Sequence, residues 1–149
     1  MRDMKLMVVD DEARFLETIR KTLLKKEIET ITADSGEKAL ELLDTRDIHV
    51  VILDVKMPGM DGIETLRQIK ARHPLVEVIM LTGHATVESA VEGMKSGASD
   101  YVMKPADIDV IIAKARDAYA RRLALDEKIA MAKARSYVKS PRQILKEGA

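Results

Sequence analysis

A chain of 149 residues, 46% hydrophobic and 34% charged, is long enough for one domain with a full core and has the balance of an ordinary soluble fold. It contains no cysteine, which excludes disulfides, thiolate metal sites and cysteine nucleophiles, and its N-terminal apolar run is too short for a signal peptide or a membrane span, so cytoplasmic residence is the expectation. The zero net charge hides 17 Lys and Arg against 22 Asp and Glu over residues 1–120, but 8 against 3 over residues 121–149; a basic tail more often solvates a helix face than it binds nucleic acid, so no nucleic-acid partner is assigned to it.

In chain order, apolar runs rich in β-branched residues or Met occur at "KLMVV" (5–9), "IETITA" (28–33), "IHVVIL" (48–53), "EVIML" (77–81) and "DYVM" (100–103), and each reads as a strand. The segments between them have helical spacing: Phe15, Leu16, Ile19 and Leu23; then Ala39, Leu40, Leu42 and Leu43; then Ile63, Leu66 and Ile69; then Val87, Val91 and Met94. A last helix opens near Asp107, a suitable N-cap, and runs without Gly or Pro to about Tyr137. Regular alternation of strand and helix predicts a doubly wound α/β fold, a five-stranded parallel sheet with helices on both faces. "VVIL" has no polar alternation, so the third strand belongs at the centre of the sheet with both faces buried.

That strand ends on Asp54, and a carboxylate at the end of a buried strand costs free energy unless something pairs with it or uses it. The first strand ends in Asp10 and Asp11, the fourth in Thr82 and the fifth in Lys104, so strand ends deliver three carboxylates, a hydroxyl and an ammonium to one sheet edge, where open α/β sheets bind ligands. Clustered carboxylates repel unless a hard cation sits among them, and Mg²⁺ suits a few carboxylates with phosphate oxygens and water. A carboxylate is also the nucleophile in aspartyl-phosphate chemistry, where a metal, an ammonium and a hydroxyl can share the phosphoryl charge.

The motifs "VVDDE", "VILDVKMPGMDG", "VIMLTGHA" and "GASDYVMKP", in this order and separation, resemble the response-regulator receiver domain of two-component signalling over roughly residues 4–120. The resemblance implies a flavodoxin-like sheet of order 2-1-3-4-5. It implies Asp54 as phosphoacceptor, Mg²⁺ held by Asp10, Asp11, Asp54 and the backbone carbonyl of Lys56, Thr82 and Tyr101 as switch residues, and Lys104 as the phosphate-binding lysine, followed by a cis bond to Pro105. It further implies a histidine kinase or histidine phosphotransfer protein as donor, and a signalling switch rather than a metabolic enzyme, with autocatalytic phosphorylation and slow dephosphorylation. Output is expected on the face formed by the fourth helix, fifth strand and fifth helix.

Around this site, Pro58 and Gly59 are expected to shape the loop, Asp61 to cap the next helix, Gly62 to relieve crowding, and Met57 and Met60 to border the site. His84 is placed to tune phosphate lifetime or to be a plain loop histidine, and His49 and His73 read as structural. Residues 1–120 form the expected receiver domain and 121–149 a basic helical extension that ends, after Ser140-Pro141, in a loose C-terminal tail. Ile111, Ala115, Ala118, Leu125, Ile129 and Ala132 make a seam broken by Arg122, suited to a homodimer handle, a link to a downstream effector protein or simply a solvated helix. The alternative function is a Mg²⁺-dependent aspartyl-phosphate phosphohydrolase. It is weakened because such haloacid-dehalogenase-like enzymes carry DxDx(T/V) after the first strand, where this chain has an acidic pair.

Overall fold

The computed structural model describes residues 4–83 and 86–136. Five strands, β1 (Leu6–Val9), β2 (Thr30–Ala33), β3 (Val50–Leu53), β4 (Glu77–Thr82) and β5 (Asp100–Met103), alternate with α1 (Ala13–Lys25), α2 (Gly36–Thr45), α3 (Gly62–Arg72), α4 (Val87–Lys95) and α5 (Ile108–Ser136). All neighbouring strands pair in parallel, in the order β2-β1-β3-β4-β5. The doubly wound architecture and the central place of β3 are as expected from the uninterrupted Val-Val-Ile-Leu run, every residue of which is buried.

Alternation along the strands divides the core into two layers. Met7, Val9, Val51, Leu53, Val78 and Met80 face α2 and α3, where Leu40, Leu66 and Ile69 meet them. Leu6, Val8, Val50, Ile52, Ile79 and Leu81 face α1 and α5, against Leu16, Ile19, Leu23, Ile111, Ala115 and Ala118. The α3 start is fixed by Asp61, whose side chain accepts the Glu64 N–H at 2.9 Å. A Cβ on Gly62 would collide with the Asp54 carbonyl oxygen, so only glycine lets α3 begin directly beneath the end of β3. Gly59 adopts φ +75°, the left-handed conformation that the preceding loop requires.

The fourth helix forms as its spacing predicts, but its apolar residues face outward: Val87, Val91 and Met94 are exposed at 82%, 47% and 49%. The helix instead turns its small side inward: Gly93 is its buried residue, and a Cβ there would touch Met80, Ile63 and Tyr101 at 3.6–3.7 Å. The Tyr101 ring occupies the space that larger inward residues would need. A helix was expected correctly from the period, but the period alone does not say which face meets the sheet.

In α5 the seam holds as core for Ile111, Ala115 and Ala118, while Leu125 is 40% exposed and Met131 is 53% exposed. Arg122, which breaks the pattern, is still held against the domain. Its guanidinium donates to the Leu75 carbonyl at 3.2 Å and pairs with Asp126 at 3.0 Å. Leu123 packs against the α1/α5 layer. The Ser140-Pro141 stretch lies outside the described residues.

Candidate functional site at the sheet edge

The site forms where β1 and β3 lie side by side and the strand order reverses, since β1 continues to β2 on one side and β3 to β4 on the other. The Asp54 N–H donates to the Val9 carbonyl at 2.9 Å, which carries the β1–β3 ladder one residue past the strands and sets Asp54 beside Asp10. One carboxylate oxygen from each of Asp10, Asp11 and Asp54 falls within a 4.8 Å group. Asp10 and Asp54 are 1% and 3% exposed, whereas Asp11 is open to solvent. Thr82, at the end of β4, is fully buried. The Lys104 N–H donates to the Thr82 carbonyl at 2.8 Å, and the Lys104-Pro105 peptide is cis, as expected from the sequence.

Asp54 is held at a cost. Burial pushes its carboxyl above the usual range and the Asp10 charge adds to this, against the Thr82 hydroxyl, the Lys104 ammonium and the Lys56 backbone N–H, which favour the ionised form. Its Oδ1 is buried and has no hydrogen-bond partner. A buried carboxylate oxygen left unpartnered beside two further carboxylates is the donor set a hard divalent cation needs, so these residues fit Mg²⁺. Asp11, Asp54 and Lys56 line the same surface recess as Glu12, Met57 and Pro58. Met57 is there as expected, with its side chain in the α2/α3 core layer, and Met60 packs against that layer.

Lys104 points to Asp10, to which its Nζ donates a hydrogen bond, and stands 4.0 Å from a Glu12 carboxylate oxygen and 4.0 Å from the centre of the Phe15 ring. Tyr101 is half-buried on the α4 side, its hydroxyl 2.9 Å from Ser89 Oγ. Ser89 also belongs to the capping box of α4, with the Ser89 N–H donating to Thr86 Oγ1 and the Thr86 N–H to Ser89 Oγ, both at 3.0 Å. The expected set of Asp10, Asp11, Asp54, Lys56, Thr82 and Lys104 is therefore brought to one edge, with Tyr101 one layer away at the α4 cap. His84 lies outside the described residues.

Three contributors escape a reading by strand ends. Glu12 donates its N–H to Asp10 Oδ1 at 2.9 Å, Glu37 accepts the Met60 N–H at 3.1 Å and so ties α2 to the loop after Asp54, and Phe15 covers Lys104. Glu12 follows the acidic pair directly and could have been noticed. Glu37 and Phe15 sit on helices whose spacing signals only packing.

A family model for the response regulator receiver domain matches residues 6–116. The chain belongs to that family. Among relatives, it is 39% identical over 106 residues to the DNA-binding transcriptional regulator NtrC of Klebsiella pneumoniae, covering 71% of this chain and 23% of that protein. It is 38% identical over 121 residues to the transcriptional regulatory protein ZraR of Escherichia coli O157:H7, covering 81% of this chain and 27% of that one. The chain thus spans about a quarter of the length of these curated relatives. The crystal structure of the receiver domain of NtrX from Brucella abortus superposes with a TM-score of 0.72 at 34% identity, covering 77% of this chain and 98% of that one. As a receiver domain the chain is a phosphoacceptor switch of two-component signalling, and the phosphohydrolase alternative is not favoured. No helix among the described residues is long and apolar enough to cross a membrane.

Proposed function

We propose that Asp54 is the phosphoacceptor of this receiver, and that it takes a phosphoryl group from a histidine kinase or a histidine phosphotransfer protein. The observation that carries this is the buried Asp54 carboxylate, with one oxygen unpartnered, among Asp10, Asp11 and Lys104. A carboxylate oxygen of Asp54 attacks phosphorus, the new O–P bond forms as the donor's P–N bond breaks, and the imidazole leaves with the bonding pair and takes up a proton. Asp10, Asp11, Asp54 and the Lys56 carbonyl would hold Mg²⁺, which when bound neutralises charge on the transferring oxygens.

Lys104 and the Thr82 hydroxyl take the remaining phosphoryl oxygens. Drawing Thr82 toward the phosphoryl group opens space behind it for Tyr101, which must leave Ser89 to turn inward. The loss of the Tyr101 hydrogen bond to Ser89, a member of the capping box, then reaches the start of α4, and the surface it remodels carries the exposed Val87, Val91, Met94 and Met103. In this reading the chain catalyses its own phosphorylation and slow dephosphorylation and no other reaction, and it works in the cytoplasm. Residues 1–120 act as the switch, and the basic extension 121–149 joins two copies or leads to a downstream effector.

The test is a mass measurement of the chain with Mg²⁺ and acetyl phosphate, followed by peptide mapping. One phosphoryl group on Asp54, labile at alkaline pH and absent from Asp54→Asn, is expected. A phosphoryl group mapped to another residue, or none taken up, would overturn the assignment.

A further inference from the structure

Lys104 is held by more than its acidic neighbours. Its side chain is 16% exposed and lies in a recess walled by Phe15, Leu81, Pro105, Ala106 and Ile111. The ammonium sits at 4.0 Å from the centre of the Phe15 ring, within the range where a cation is attracted to an aromatic face. Phe15 is the only phenylalanine of the chain, in the first turn of α1, one turn before the buried Ile19. The burial of α1 is carried by Leu16, Ile19 and Leu23, with Phe15 only half-buried at the upper end of that stripe. Phe15 also packs against the α1/α5 core layer, a role leucine could fill, whereas the contact with the ammonium needs the ring face.

We propose that Phe15 is a positioning residue for phosphoryl transfer: its ring face, with Asp10, holds the Lys104 ammonium at the mouth of the site so that it meets the incoming phosphoryl oxygen without first being ordered from solvent. An ammonium has three N–H donors on a flexible four-carbon stem. Here Asp10 accepts one, the ring covers another side, and Glu12 at 4.0 Å bounds a third. Rotation that would otherwise have to be frozen at the moment of transfer is already restricted, which is how preorganised charge speeds a reaction. The ring attracts the cation without offering an acceptor that competes for its protons, so Lys104 can turn an N–H to a phosphoryl oxygen while remaining against Phe15. A carboxylate in place of the ring would hold the ammonium away from the phosphoryl group.

This rests on Asp54 as phosphoacceptor, and the experiment separates the two. The full chain, Phe15→Leu and Phe15→Trp are incubated with Mg²⁺ and acetyl phosphate. The Asp54 oxygen bonds to phosphorus, the donor's P–O bond breaks and acetate leaves, and the rate of mass gain is followed. Phe15→Leu keeps apolar bulk but not the ring and should slow uptake roughly 3- to 10-fold, the loss expected of one partly desolvated cation–ring contact. Phe15→Trp should stay within about 2-fold of the parent, since indole is the better ring for a cation.

The Lys104 Hε protons should resonate upfield in the parent and in Phe15→Trp, through the ring current, and return to ordinary positions in Phe15→Leu. That signature reports whether ring and ammonium meet in solution, and rescue of the rate by Phe15→Trp but not by Phe15→Leu separates the aromatic contact from apolar packing. Equal rates in Phe15→Leu and the parent, equal loss in the Leu and Trp variants, or Lys104 Hε protons at ordinary positions in the parent would each overturn the role of Phe15. A parent that takes up no phosphoryl group refutes the Asp54 assignment and this proposal with it.

Discussion

Replacing Asp54 by alanine should make the protein more stable in EDTA. Asp54 is 3% exposed and its Oδ1 finds no partner, and leaving such a group buried costs about 1–3 kcal/mol. Alanine also removes the bonds that the Thr82 hydroxyl and the Lys56 N–H make to the carboxylate, worth about 1 kcal/mol. The balance is a gain of at most about 2 kcal/mol, centred on about 1 kcal/mol, which for a domain of this size moves Tm up by about 3 °C. The effect has a definite pH dependence. Burial and the Asp10 charge raise the folded carboxyl above its ordinary 3.8, so its penalty is absent below that value and complete once pH exceeds the raised one. The advantage of Asp54→Ala should therefore be largest near neutral pH and shrink in acid. Calorimetry of both proteins in EDTA measures it. With Mg²⁺ at 100 times its dissociation constant the parent should gain about 2.7 kcal/mol, and Asp11→Ala should lose most of that response. If Asp54→Ala melts at or below the parent in EDTA, the supposed cost of burying this carboxylate is wrong. A parent Tm indifferent to millimolar Mg²⁺ would remove the cation site.

Two further outcomes follow from the opposite end of the sheet and from α5. His49 is buried, accepts the Lys5 N–H at 3.0 Å through Nδ1 and lies 5.0 Å from the Tyr119 ring. Burial depresses its pKa, with Arg122 and Lys5 assisting and Asp47 and Asp126 opposing, so its stabilising effect is full above about 6.5 and is lost as pH falls through the depressed value. Urea unfolding of the parent should weaken by up to about 1.4 kcal/mol per pH unit below 6.5 relative to His49→Gln, and parallel pH profiles for the two would refute it. For the extension, the Arg122 contacts to Leu75 and Asp126 place a safe truncation after Asp126. If the part of α5 beyond Asp126, with the exposed Met131, is a dimer handle, light scattering should find the truncated chain monomeric where the full chain associates at micromolar concentration, and equal masses would leave α5 as a link only.

Much of the site could be read from the chain because its geometry is set by strand ends. A parallel strand delivers its last residue to a common edge whatever the surrounding helices do, so Asp10, Asp54, Thr82 and Lys104 needed only the positions of four apolar runs. The same holds for Asp61 and Gly62, whose requirements are local: a side-chain oxygen to cap a helix, and the absence of a Cβ against the Asp54 carbonyl.

What the chain alone left open was decided by packing between elements distant in sequence. Helical period told that Val87, Val91 and Met94 share a face, but that they turn outward follows from the close approach of Gly93 to Met80 and Tyr101, which no local pattern encodes. The break at Arg122 became intelligible only with the Leu75 carbonyl in reach across 47 residues of chain. Phe15 was legible as an apolar helix position, yet its ring meets Lys104 because α1 and the β5–α5 loop converge on one side of the sheet. Local sequence determines residue chemistry and element period, both short-range quantities. Which face an element buries, and what a half-buried ring or guanidinium touches, depends on the whole set of competing contacts, and that balance exists only in the folded chain.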